Sequence, residues 1–165
     1  MDNKDNLQRS INFNMDKPII EKIEASVVSL DNAILLKEIG FNVECPGYYH
    51  KDPEDPEYFN IVITAINNGK NSDFVHYAYS APEHWRVIEW FKLVYKIRII
   101  DHYKPNVQKY DWIAYNMNLS GLEYVDFYAQ FYKEFPNRRF DTQKDAIEDA
   151  ISYLCKKELE RLKNV

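Results

Sequence analysis

Between Phe59 and Tyr95 the apolar residues change period from two to about 3.6, so this stretch has to build paired strands and a helix side by side. Phe59 to Ile66 and Phe74 to Tyr79 are rich in β-branched and aromatic residues. Asn67-Asn68-Gly69-Lys70-Asn71 between them supplies residue types that accept positive φ, and the two runs are expected to form a β-hairpin. Ser80-Ala81-Pro82-Glu83 then reads as a capping box with proline in the first turn. It opens a helix over 82–96 with Val87, Ile88, Phe91, Val94 and Tyr95 on one face.

The same reasoning extends along the chain. Ser29 is a good N-cap for a helix over 30–39 carrying Ala33, Leu35, Leu36 and Ile39, and Gly40 is the C′ residue that tolerates a left-handed backbone. Cys45-Pro46-Gly47 marks a turn, and Lys51 to Glu57, with Pro53 and Pro56, reads as an exposed acidic loop. Ile97 to Tyr103 and Trp112 to Asn118 form a second hairpin across Lys104-Pro105-Asn106. Glu123 to Phe135 fits a helix and a strand equally well. Asp141-Thr142 caps a long closing helix with Ala146, Ile147, Ala150, Ile151, Leu154, Leu159 and Leu162 on its face. Residues 1–17 have no sustained period and read as a flexible N-terminal arm, followed by a lead-in strand towards Val28. The fold expected is α+β: one domain over 18–165, with a small, mainly antiparallel sheet of two hairpins and about three helices packed on one face.

Composition narrows the functional classes. The net charge of −5 opposes the phosphate attraction that drives most nucleic-acid binders. The first residues are acidic and amide-rich where a secretory signal needs a basic start, and no apolar run approaches the length of a membrane span, so the expected location is the cytoplasm. Cys45 and Cys155 form no CxxC pair and suit free thiols in a reducing compartment. Thirteen tyrosines, nine phenylalanines and three tryptophans stand against four glycines, a surplus that suits both a core and a contact surface.

Three segments carry a resemblance: Leu36-Lys37-Glu38-Ile39-Gly40-Phe41, Ser80-Ala81-Pro82 leading to Ile88-Glu89-Trp90-Phe91, and Phe140-Asp141-Thr142 leading to Asp145-Ala146-Ile147. Together they resemble small uncharacterised proteins encoded by phages and prophages of gut Bacteroidetes and related low-GC hosts. The resemblance covers roughly residues 29–155, with the acidic loop and the segment 121–136 as enlargements. It implies the order helix, hairpin, helix, strands and closing helix. It brings no activity, ligand or site residue with it.

Reactive constellations are weighed on their spacing. His50, Asp52, Glu54 and Asp55 match neither an EF-hand loop nor a paired-histidine site, and a solvated loop explains them better than a metal. Cys45 with His50 is explained by a turn, and Cys155 by a helix boundary. Asp101 and His102, adjacent in a strand, point to opposite faces and cannot act as a dyad. His76 and His84 stand alone, and the scattered glycines exclude a phosphate-binding loop.

No catalytic, cofactor-binding or metal residue is therefore expected, and no cofactor. The leading expectation is a non-enzymatic phage-type accessory protein acting through contact with a protein partner or with itself, with no membrane partner. Trp85, Trp90 and Trp112 form the candidate interaction surface, because periodicity cannot place all three inside. The alternatives are a nucleic-acid-binding regulator reading with helix 82–96 through Arg86, Lys92 and Lys96, and a small hydrolase-like enzyme using a cleft of histidine and carboxylate.

Overall fold

The computed structural model describes residues 27–51, 59–63, 68–74, 78–119, 133–134 and 138–165. The arm at 1–17, most of the lead-in segment, the acidic residues 52–58, His76 and nearly all of 123–135 lie outside the described residues. The fold is α+β, with three helices and two antiparallel sheets among the described residues. Helix α1 spans Leu30–Glu38, α2 spans His84–Trp90 and continues as a π turn over Phe91–Tyr95, and α3 spans Gln143–Lys163. Strands β1 (Gly47–Lys51), β2 (Phe59–Ile63) and β3 (Ala78–Ser80) form one sheet, while β4 (Ile97–Lys104) and β5 (Lys109–Asn116) form the other. Among the described residues no helix is long and apolar enough to cross a membrane.

The three-stranded sheet corrects the first hairpin. Its order is β2-β1-β3, so the runs from Phe59 and Phe74 flank β1 instead of pairing with each other. Tyr48 shows the arrangement, facing Val62 on one side and Ser80 on the other. Gly47 to Lys51, which reads as a turn running into a loop, supplies the central strand. A five-residue segment is too short for its alternation to declare itself. Gly69 also differs from expectation. It bridges Cys45 through reciprocal backbone hydrogen bonds, and a Cβ there would come within 2.5 Å of the Phe74 ring. Close approach selects glycine here, while among the described glycines positive φ belongs to Gly40 alone, at 89°.

Helix α1 forms where its caps place it. The Ser29 hydroxyl accepts from the Asn32 N–H, and Phe41 N–H returns to the Leu36 carbonyl past Gly40. Helix α2 starts later than the capping box suggests, with Glu83 as N-cap. Residues 78–80 are held extended against β1, and Pro82 disfavours helical backbone at Ala81, so Ser80 stays in β3 with its N–H donated to the Asn71 side chain. The π turn then inserts one extra residue per turn, which rotates the phase of the helix face. Tyr95 keeps the inward position expected of it, while Val94, expected on the same face, is left 55% exposed beside Leu93 at 65%. Lys96, at φ 57°, closes the turn by donating its N–H to the Phe91 carbonyl.

The second hairpin forms with a loop of Pro105 to Gln108, and β5 begins at Lys109, earlier than the expected Trp112. Helix α3 covers one of its faces. Trp112 Nε1 donates to Asp149 at 2.8 Å and Gln143 donates to Asp101, which identifies the face carrying the paired residues Asp101 and Trp112. The core runs continuously from Leu36 and Phe41 through Val87 and Phe91 to Trp112, Ile151 and Leu154.

Candidate functional site

Three groups of polar side chains are brought together by the fold, and they differ in what they can do. The first centres on Glu148, one turn and a half into α3. Its carboxylate accepts from the Ser29 N–H at 2.9 Å, the Ser29 hydroxyl at 2.8 Å, the Asn32 side-chain amide, and His84 Nε2 at 2.6 Å. Burial opposes the charged form of this carboxyl. The hydrogen bonds from His84 and Ser29, the nearby imidazole and the Asn32 bond outweigh that and hold Glu148 below the usual carboxylate range. The serine bonds the carboxylate and not the imidazole, so the geometry is a clasp between the starts of α1 and α2 and the body of α3. It lacks the serine-to-base bond that nucleophilic catalysis requires.

The second group lies on the face of the β4–β5 hairpin opposite to Asp101. His102 and the buried Asp111 are direct cross-strand partners, and Lys104 reaches the same carboxylate. His102 Nδ1 stands 3.6 Å from Asp111, beyond hydrogen-bond range. Asp101 and His102 do point to opposite faces. The partner of His102 is nine residues away, visible only once the strands are in register.

The third is a cleft of about 430 Å³ between the end of the β4–β5 hairpin and the C-terminal half of α3. Ile97, Ala114 and Leu154 are its apolar residues, Tyr95 and Tyr153 stand beside them, and Tyr115 reaches its edge from the neighbouring position of β5. Each charge at its mouth has a partner. Arg161 binds both Glu158 oxygens, at 2.8 and 2.6 Å, while the Tyr95 hydroxyl donates to the Ile39 carbonyl at 3.3 Å. Lys157 sits 5.0 Å over the Tyr153 ring, bonds its hydroxyl and faces Glu134. The Arg161 bond lowers Glu158, and the Tyr153 bond raises Lys157, so the salt forms are held in place.

The three tryptophans separate. Trp112 is 1% exposed in the core, so it is removed from the expected contact surface; its ring packs on Tyr153 and lies 4.9 Å from the Arg138 guanidinium. Trp90 is half-buried in an edge-to-face cluster with Phe41, Phe91 and Tyr95. Trp85 alone is exposed, at 57%, and its ring carries the Arg86 guanidinium at 4.7 Å. Arg86 is in turn fixed by Glu83 at 2.9 Å.

The remaining candidates are also placed. Cys45 and Cys155 are buried, and burial pushes both thiols up to about 12, which leaves them protonated and unreactive at neutral pH. His50 is half-buried in β1, while Asp52, Glu54 and Asp55 lie outside the described residues. Among the described residues no group of three His, Cys, Asp or Glu side chains could hold a metal ion. On α2, Arg86 is taken by Glu83 and Lys92 by Glu89, and the Lys96 ammonium donates to the Leu93 carbonyl. Comparison with family models, curated proteins and solved structures finds no match for this chain.

Proposed function

We propose that this chain works by non-covalent contact with another protein, as a non-enzymatic accessory protein of the phage and prophage type it resembles, with Trp85 and Arg86 at the centre of the contact surface. The observation that carries this reading is the exposed Trp85 ring held against a guanidinium that Glu83 already fixes. Tryptophan and arginine dominate the energetics of protein interfaces, and a side chain ordered before binding loses less rotamer entropy on contact. Glu89 and Leu93 follow Trp85 at four-residue steps, so the surface continues along the outer side of α2. The fitting partner presents an apolar slot that receives the indole, with the guanidinium that Glu83 fixes stacked at its edge.

Supporting a cytoplasmic setting, the two thiols are free and buried. Nucleic-acid reading by α2 is less favoured, because each of its cations is already neutralised or bonded locally and the chain carries a charge of −5. A photo-crosslinking amino acid at position 85 or 93, compared with one at Arg139, tests the proposal in the producing cell. A single protein adduct at 85 and 93, absent at 139 and lost when Arg86→Glu is added to the 93 probe, is expected. No adduct at either position, or the same adducts at all three, overturns it.

A further inference from the structure

The cleft at the end of α3 is separate from Trp85, and its chemistry specifies a ligand class. Its volume of about 430 Å³ lies within the range of small-molecule sites. The rings of Tyr95 and Tyr153 and three aliphatic side chains line it, which suits a planar apolar body. Electrostatics then narrow the choice. Both cations at the mouth are engaged: Arg161 by a two-point bond to Glu158, Lys157 by the Tyr153 ring and hydroxyl with Glu134 facing it. The rim balances two carboxylates, Glu134 and Glu158, against two cations, so an anionic ligand competes with Glu158 for Arg161 and is repelled by both carboxylates, and a cationic one is repelled by Arg161 and Lys157. A neutral ring enters without breaking either pair, and burying an unpaired charge is what the cleft would otherwise have to tolerate.

Asn116 offers a polar handle at the exposed rim. The side-chain oxygen of Asn116, at the rim, accepts from the Asn118 N–H, and its amide nitrogen carries no bond among the described residues. That nitrogen can donate to a hydroxyl on the ligand. We infer that the cleft is a binding site for a small, neutral, hydroxylated aromatic compound of the phenol class, with the ring between the tyrosines and its hydroxyl at Asn116.

Isothermal titration and ligand-detected NMR on the full chain, with p-cresol, p-toluate, benzylamine and 4-methylcyclohexanol as probes, test the inference. Saturable one-to-one binding of p-cresol in the millimolar range is expected, with each of the other three weaker by about tenfold or more. Asn116→Trp fills the cleft from its exposed rim and should abolish binding, Asn116→Ala should weaken it several-fold, and Trp85→Ala should leave it unchanged. Circular dichroism confirms that each variant is folded; if Asn116→Trp is not, Asn116→Ala decides. Absence of saturable p-cresol binding, equal binding of the charged probes, or binding indifferent to Asn116 overturns the inference. Because Trp85→Ala enters only as a control, failure here leaves the contact surface on α2 untouched, and failure there leaves the cleft untouched.

Discussion

The two halves of α3 present a contrast within one continuous helix. From Gln143 to Ile151 its polar and apolar groups are spoken for by distant parts of the chain: Glu148 by Ser29, Asn32 and His84, Asp149 by Trp112 and Arg138, and Ala146, Ile147 and Ala150 by the core. From Lys156 onward the side-chain hydrogen bonds among the described residues are mostly one turn apart on the helix itself, as between Arg161 and Glu158. Tertiary bonds fix the relative position of elements, whereas bonds within one turn leave the helix surface open to a second molecule. The first half holds the fold together and the second half makes the cleft.

Breaking Glu148 strikes the first half hardest. Glu148→Ala leaves the Ser29, Asn32 and His84 donors without their shared acceptor and removes the link between three helices. The expected loss is about 3 kcal/mol, read as a lower urea midpoint with an unchanged slope. p-Cresol binding by the fraction that remains folded should be unaltered, since the cleft lies on the other half. The clasp also titrates. Its carboxyl is held below the ordinary value of 4.5 in the folded state, so the unfolded chain takes up its proton first as the solution is acidified. The stabilisation is complete well above pH 4.5 and is lost as pH falls through the folded value. Urea midpoints measured from pH 6 downward should therefore fall more steeply for the wild type than for Glu148→Gln. Parallel curves would show that the clasp contributes nothing through its charge.

Trp112 tests the boundary between the halves with a smaller effect. Trp112→Phe removes the indole bond to Asp149 and some volume from a fully buried site, while Arg138 still pairs with Asp149 at 2.8 Å. A loss of about 2 kcal/mol in the urea midpoint is expected. Since Tyr153 packs on the Trp112 ring and also walls the cleft, this variant should weaken p-cresol binding slightly, where Glu148→Ala does not.

The fold was legible in the sequence wherever the signal was local. Ser29 and Thr142 cap the helices they were expected to cap, Gly40 ends α1, and the β4–β5 hairpin pairs as its composition suggests. What depends on distant partners was not legible. The strand at Gly47 is recognised only by the two strands it joins, and Glu148 reads as an ordinary acidic residue of an exposed helix turn until Ser29, 119 residues away, is placed beside it. Of the three tryptophans in the candidate surface, only Trp85 has most of its surface exposed. Trp112 opens the consecutive apolar run Trp112-Ile113-Ala114-Tyr115, in which alternation cannot assign a face, and the structure buries residues of both faces there.

The smallest expected effect follows from the two residues that helical periodicity places in the core and the structure places outside. Val94 is rotated out by the π turn, and Leu162 lies on the last turn of α3, beyond the core that ends near Leu159. Both belong to the open end of the molecule, one next to Tyr95 and the other next to Arg161. If α2 ran as a regular α-helix through residue 95, Val94 would share the face of Val87 and Ile88, and Val94→Lys would bury a charge at a cost of several kcal/mol. With the π turn in place the lysine ammonium stays in water, and Val94→Lys and Leu162→Lys should each shift stability by no more than about 0.5 kcal/mol. A large loss for Val94→Lys alone would mean that α2 keeps a regular α period and that the Tyr95 hydroxyl does not reach the Ile39 carbonyl. A large loss for both would mean that the open end is covered, and the contrast between the halves of α3 would disappear.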